Sequence, residues 1–93
     1  MIKVNEYFDG NVKSMGLENE DGKATVGVMA AGEFEFGTST VEYMTVVSGS
    51  MTVLLPGETE WKTYAPFQTF VVPAGQKFKL KLARPAAYRC LYK

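Results

Sequence analysis

The chain contains no histidine. The commonest transition-metal ligand and the commonest general base near neutral pH are therefore both missing. With one cysteine besides, Cys90, a protein-only zinc, iron or copper site of ordinary type is not expected. That lone cysteine cannot close an internal disulfide, which fits a reducing compartment. Without an imidazole neighbour it reads as a small buried hydrophobe rather than a nucleophile.

Charge of one sign is lacking too. Ten basic and ten acidic side chains cancel, and no segment concentrates either kind. The electrostatic footprint of a nucleic-acid or anionic-membrane binder is absent, so neither partner is expected. No apolar run approaches the roughly 20 residues that span a bilayer, and no cationic segment leads into an apolar stretch with a cleavage site. The chain reads as cytoplasmic. Linkers, repeats and low-complexity tracts are also missing, and 93 residues suit a single domain, 1–93, built on one core.

What the sequence does hold is a series of short apolar and β-branched runs: Ala24 to Ala31, Glu33 to Phe36, Tyr43 to Val47, Met51 to Leu55, Trp61 to Tyr64, Thr69 to Val72, Phe78 to Leu82 and Ala87 to Tyr92. Between them stand turn residues, among them Asp21-Gly22, Ser48-Gly49, Pro56-Gly57, Pro73-Ala74-Gly75 and Arg84-Pro85. Strands at roughly 8 to 12 residue spacing predict an antiparallel sandwich or barrel. No window carries the 3.6-residue stripe of a long amphipathic helix. KFKLKL (Lys77 to Leu82) alternates strictly, which makes a half-buried strand with Lys77, Lys79 and Lys81 in water. EFEF (Glu33 to Phe36) does the same with glutamates outside. Asn5 to Lys13 carries a turn at Asp9-Gly10 and is expected to fold along the sheet.

Glu42, six residues and then Gly49 resemble the second half of the first cupin signature, where a strand bearing an inward glutamate ends at a tight glycine turn. Pro73-Ala74-Gly75 resembles the proline-x-glycine of the second. The resemblance implies a small all-β, single-domain cupin-like antiparallel barrel of jelly-roll type. Metal-binding cupins carry three histidines at places that here correspond to Phe36, Thr38 and Phe78, so no metal site carries over. More specifically, the chain resembles the pyrimidine/purine nucleoside phosphorylase family of short metal-independent cupins. The residues that carry this are NEYF with GNVKS (Asn5 to Phe8, Gly10 to Ser14), GVM with GEFEF (Gly27 to Met29, Gly32 to Phe36) and VEYMTVVSG with LLPG (Val41 to Gly49, Leu54 to Gly57). Trp61 with Tyr64, FVVPAG with Phe78, and YRCLY (Tyr88 to Tyr92) complete the match. The implied activity is phosphorolysis of purine and pyrimidine nucleosides to free base and ribose 1-phosphate by a glycosyltransferase of the pentosyl type. Inorganic phosphate is the co-substrate and no cofactor is implied.

That chemistry needs a site to grip a ribose, to hold an anion, and to tolerate charge on the leaving base. Glu42, at the place that faces the barrel interior in cupins, is the candidate to accept the sugar hydroxyls and stabilise the developing cation; its alternative is a glutamate that ties down a loop. Phe34, Phe36, Met44, Phe78 and Tyr88 are candidates to wall the pocket, where aromatic faces stack a base without reading its edge; core packing is their alternative. Thr38 stands where a metal ligand would be, and its hydroxyl is a candidate partner for phosphate or sugar. Arg89, Lys13 and Arg84 are the candidate phosphate cations, with turn amides at Ser48-Gly49 or Ala74-Gly75 as substitutes. Two other readings compete: a cupin that binds a sugar or metabolite without turnover, and a metal-free sugar isomerase or epimerase using Glu42 with Tyr7 or Tyr88. The strand holding Trp61 and Tyr64 raises a third, an interaction role. A homodimer is expected, since small β-barrels bury apolar strand surface between copies.

Overall fold

The computed structural model describes residues 1–93, all of them in strands, turns and loops. Ten strands follow in order: β1 (Val4–Tyr7), β2 (Val12–Asn19), β3 (Gly22–Met29), β4 (Gly32–Gly37), β5 (Glu42–Ser48), β6 (Met51–Leu54), β7 (Lys62–Tyr64), β8 (Thr69–Val72), β9 (Lys77–Leu82) and β10 (Ala86–Tyr92). They form a six-stranded sheet, β1-β2-β3-β10-β5-β8, and a four-stranded sheet, β4-β9-β6-β7. Every pairing is antiparallel. No ladder joins the two sheets, so the cupin-like fold takes the form of two facing layers rather than a closed cylinder. No helix is long and apolar enough to cross a membrane.

Alternation fixes which face each strand buries. In β9, Phe78, Leu80 and Leu82 point inward while Lys77, Lys79 and Lys81 face water. Burying a side chain such as the fully enclosed Leu80 stabilises the fold by about 1.5–3 kcal/mol. Fifteen buried residues form one contiguous cluster, with Met29, Val46, Met51, Val53 and Val72 at its centre. Of the two aromatics around β7, Tyr64 packs against this cluster, while the half-buried Trp61 lies with Lys81 on the outer face of the four-stranded sheet. Lys81 Nζ sits 4.1 Å from the centre of the Trp61 ring, and Tyr64 packs on Phe70 at 4.9 Å between ring centres.

The eight anticipated runs all appear as strands, with ends shifted by a residue or two. β1 and β2 stand outside these runs, and β2 is the longer of the two. Its residues VKSMGLEN hold a central glycine and one β-branched side chain, yet it pairs with β3 along eight positions, from Val12↔Met29 to Asn19↔Gly22. Tertiary pairing overrides weak strand propensity here.

The turn from β1 to β2 is conformationally costly. Phe8 and Asp9 adopt left-handed φ of 52° and 57°, followed by Gly10 at 85°. Two such non-glycine residues cost on the order of 1–3 kcal/mol each. Ring packing offsets this, because Phe8 lies 5.1 Å from Phe34 and 5.4 Å from Phe36 between centres. The turn thereby holds Tyr7 over the space between the sheets, 5.8 Å from Phe36 and edge-on to it. At the far end of β5, Gly49 has φ 81°, and a Cβ there would stand 2.9 Å from the Pro85 carbonyl. Only glycine fits that turn.

Candidate functional site

A cavity of about 200 Å³ opens between the sheets, walled mainly by apolar and aromatic side chains. Register places its polar groups. On the inner face of the six-stranded sheet, Ser14, Gly27, Tyr88 and Val46 form one cross-strand row. Thr25, Cys90, Met44 and Phe70 form the next, and Lys23, Tyr92, Glu42 and Val72 the one after. Phe36 and Phe78 close the cavity from the opposite sheet, 6.0 Å apart between ring centres.

Glu42 is the one carboxylate in the cavity wall. Burial raises its carboxyl above the ordinary glutamate value, and a hydrogen bond from the Cys90 thiol opposes that shift. Cys90 Sγ donates to Glu42 Oε1 at 3.4 Å, the carboxylate's one side-chain partner within the chain. The thiol is itself driven upward, first by burial and then by the Glu42 charge. Cys90 therefore stays protonated and serves as a donor. Burial, then the neighbouring Cys90, push the Tyr88 phenol up to about 12, with the Ser14 hydroxyl opposing them. Burial likewise raises Tyr92, whose hydroxyl lies 3.0 Å from Thr25 Oγ1. The cavity thus presents one carboxylate among neutral hydroxyl and thiol donors. Such a carboxylate suits hydroxyl donors from a polyol and a positive charge arising beside them.

Gly27 makes this arrangement possible. A Cβ there would lie 2.7 Å from the Tyr88 hydroxyl and 2.6 Å from the Lys13 carbonyl. Its absence lets the Tyr88 ring lie flat along β3.

Of the residues singled out from sequence, Glu42, Phe36, Met44, Phe78 and Tyr88 meet at the cavity. Phe34 does not. It is buried under Phe8 in the adjoining core. Thr38 lies outside the lining as well, and its hydroxyl is spent: it donates to the Pro73 carbonyl at 2.6 Å and accepts from the Gln76 amide at 3.1 Å. With Gly75 N donating to Thr38 O at 3.0 Å, it clamps the end of β4 to the Pro73-Ala74-Gly75 turn. Arg89 projects from the opposite face of β10, between Val26 and Thr45. Lys13 pairs with Glu6 at 3.2 Å on the surface, and Arg84 is exposed in the loop before β10. None of these three cations lines the cavity.

Sequence reasoning passed over Cys90, Tyr92 and Ser14 as wall residues. The first two share the parity of Tyr88 in β10 and were accessible to the same period-two argument. Ser14 was not, because it belongs to the unannounced β2. Glu42 and Cys90 are the cavity's only acidic or thiol side chains, and no cluster of three or more His, Cys, Asp or Glu forms anywhere in the fold.

Two facing antiparallel sheets around a walled hollow, entered by an inward glutamate on β5, define a cupin-like protein. An RmlC-like cupin from Shewanella frigidimarina superposes on 96% of this chain and 80% of its own with a TM-score of 0.75 at 18% identity, a likeness of fold. A protein of unknown function from Vibrio parahaemolyticus matches far more closely, at a TM-score of 0.93 and 42% identity over 97% of this chain and 96% of that one. The family model for pyrimidine/purine nucleoside phosphorylase matches residues 2–92. A pyrimidine/purine nucleoside phosphorylase of Pseudomonas aeruginosa is 58% identical over the whole of both chains, and one of Tolumonas auensis is 57% identical over the same extent. The chain belongs to the pyrimidine/purine nucleoside phosphorylase family.

Proposed function

We propose that this protein catalyses phosphorolysis of purine and pyrimidine nucleosides, a pentosyl transfer with inorganic phosphate as co-substrate and no metal or other cofactor. A phosphate oxygen forms a bond to C1′ as the C1′–N bond breaks. Its electron pair leaves with the base, which takes up a proton. The observation that carries the reading is Glu42, an inward carboxylate with a single thiol partner in a cavity of sugar size, within a family of this name. In this reading it accepts ribose hydroxyls and faces the positive charge that grows on the sugar as the base departs.

Base tolerance follows from the walls. Phe36, Phe78 and Tyr7 offer ring faces and edges, and no amide or charged side chain other than Glu42 is present to read a base edge. Stacking of this kind accepts any base. Metal independence is supported by the donor set, since one carboxylate and one protonated thiol fall short of an ordinary site.

The proposal includes an isologous homodimer of single-domain subunits. The outer face of the six-stranded sheet exposes Val4, Met15, Leu17, Val26, Val28 and Val71, a surface suited to a second copy. Sedimentation velocity at micromolar concentration is expected to show the dimer, and a monomer would remove it. A free, buried Cys90 supports a cytoplasmic location.

The test of the activity is release of free base from uridine and inosine, with and without phosphate, each repeated in chelator. Release that requires phosphate and ignores chelator supports the proposal. No release under any condition would leave a binding protein in its place.

A further inference from the structure

The cavity holds a carboxylate and no cation, so the phosphate required by the proposed reaction has no counter-charge there. The same inner sheet face continues beyond the cavity. The row that contains Glu42 runs on through Tyr92 to Lys23, placing the Lys23 backbone two strands, about 10 Å, from that of Glu42. Lys3 enters the adjacent row, its carbonyl accepting a hydrogen bond at 2.9 Å from Gly16, which itself faces Thr25. These two lysines line a second hollow of about 550 Å³, with Asn5, Thr25 and the Ser39-Thr40 loop on its walls. Tyr92 lines both hollows, and its hydrogen bond with Thr25 stands at their junction. Glu18 faces Lys23 across β2 and β3 and lines this hollow too. Two lysines against one glutamate leave it net positive.

We propose that this second hollow is the phosphate subsite: Lys3 and Lys23 hold the dianion beside Tyr92, and Glu42 holds the ribose on the other side. This rests on the phosphorylase reading. The division keeps the anion away from the carboxylate while both address one C1′, where phosphate oxygen bonds as the base leaves with the glycosidic pair. Hydroxyl and amide groups of Thr25, Asn5 and the Ser39-Thr40 loop supply neutral donors suited to a phosphate oxygen.

The test is steady-state phosphorolysis by Lys3→Gln, Lys23→Gln and the double variant, with Lys79→Gln on the solvent face of β9 as the charge control. The double variant is expected to raise KM for phosphate about tenfold or more, with KM for the nucleoside within about threefold and the control unchanged. Active variants with an unaltered phosphate KM would overturn the subsite and leave the phosphorylase reading standing. Should the unmodified protein prove inactive, that reading fails, and the anion site is decided by line broadening of inorganic phosphate in ³¹P spectra. Broadening lost in the double variant supports it, and its absence from the unmodified protein overturns it.

Discussion

Glu42→Gln removes one charge and leaves the shape of the cavity wall nearly intact. Within the cavity, the side chain touches Cys90 Sγ alone through a hydrogen bond of 3.4 Å, so little of the packing depends on its ionisation. What it loses is attraction for a cationic sugar. A unit charge at about 4 Å is worth roughly 4 kcal/mol at an effective dielectric constant near 20, and about half that in a site half open to water. Transition-state stabilisation of about 2–4 kcal/mol corresponds to a fall in kcat/KM of roughly 30- to 1,000-fold. Stability moves the other way. Burial raises the folded-state carboxyl above its unfolded value, so its favourable contribution is fully present below the unfolded pKa and is lost as pH rises through the folded one. At pH 7 the glutamine variant is therefore expected to melt at or above the temperature of the unmodified protein, and its Tm should vary less across the weakly acidic range. Uridine phosphorolysis and thermal melts on the same preparations test both halves. A variant that melts normally and keeps kcat/KM within about threefold would refute the assignment.

Three further outcomes follow from particular contacts. Gly27→Ala drives a methyl to 2.7 Å from the Tyr88 hydroxyl and 2.6 Å from the Lys13 carbonyl; a loss of about 1–3 kcal/mol in chemical denaturation is expected, and an unchanged midpoint would show that the two neighbours yield freely. Thr38→Val strands the Gln76 amide and removes the bond to Pro73 O, for a cost of about 1–3 kcal/mol with kcat/KM preserved well below the melt; a collapse in rate at normal stability would return Thr38 to the substrate. Cys90, buried and with its thiol pushed upward beside Glu42, should resist a disulfide reagent at pH 8 in the native protein and react once unfolded in urea; prompt native labelling would contradict a donor thiol.

Much of the fold can be read from period two. KFKLKL and EFEF declare their faces because one side of each strand is wet. β2 escapes because Gly16, Glu18 and Asn19 give no apolar alternation over its second half; what makes it a strand is β3 lying alongside, a fact about partners and not about local residues. The site shows the same division. Glu42, Phe36 and Phe78 are legible because the cupin pattern marks their positions, and Tyr88 because parity on β10 carries it inward. Thr38 occupies a marked position too, yet the Pro73-Ala74-Gly75 turn comes close enough to use its hydroxyl, a contact between residues 35 apart that no local pattern encodes. Arg89 faces outward by the same alternation that turns Tyr88 and Cys90 inward. Lys3 and Lys23 gain their place only from the register of β1, β2 and β3 beside β10, which the sequence does not announce.

In the proposed reaction phosphate, and not water, receives the ribose. ³¹P spectra recorded during turnover of uridine test it most directly. Inorganic phosphate is expected to decline as a sugar 1-phosphate resonance grows, mole for mole with released uracil, and Glu42→Gln to slow both together. Uracil appearing with free ribose while inorganic phosphate stays constant would contradict it.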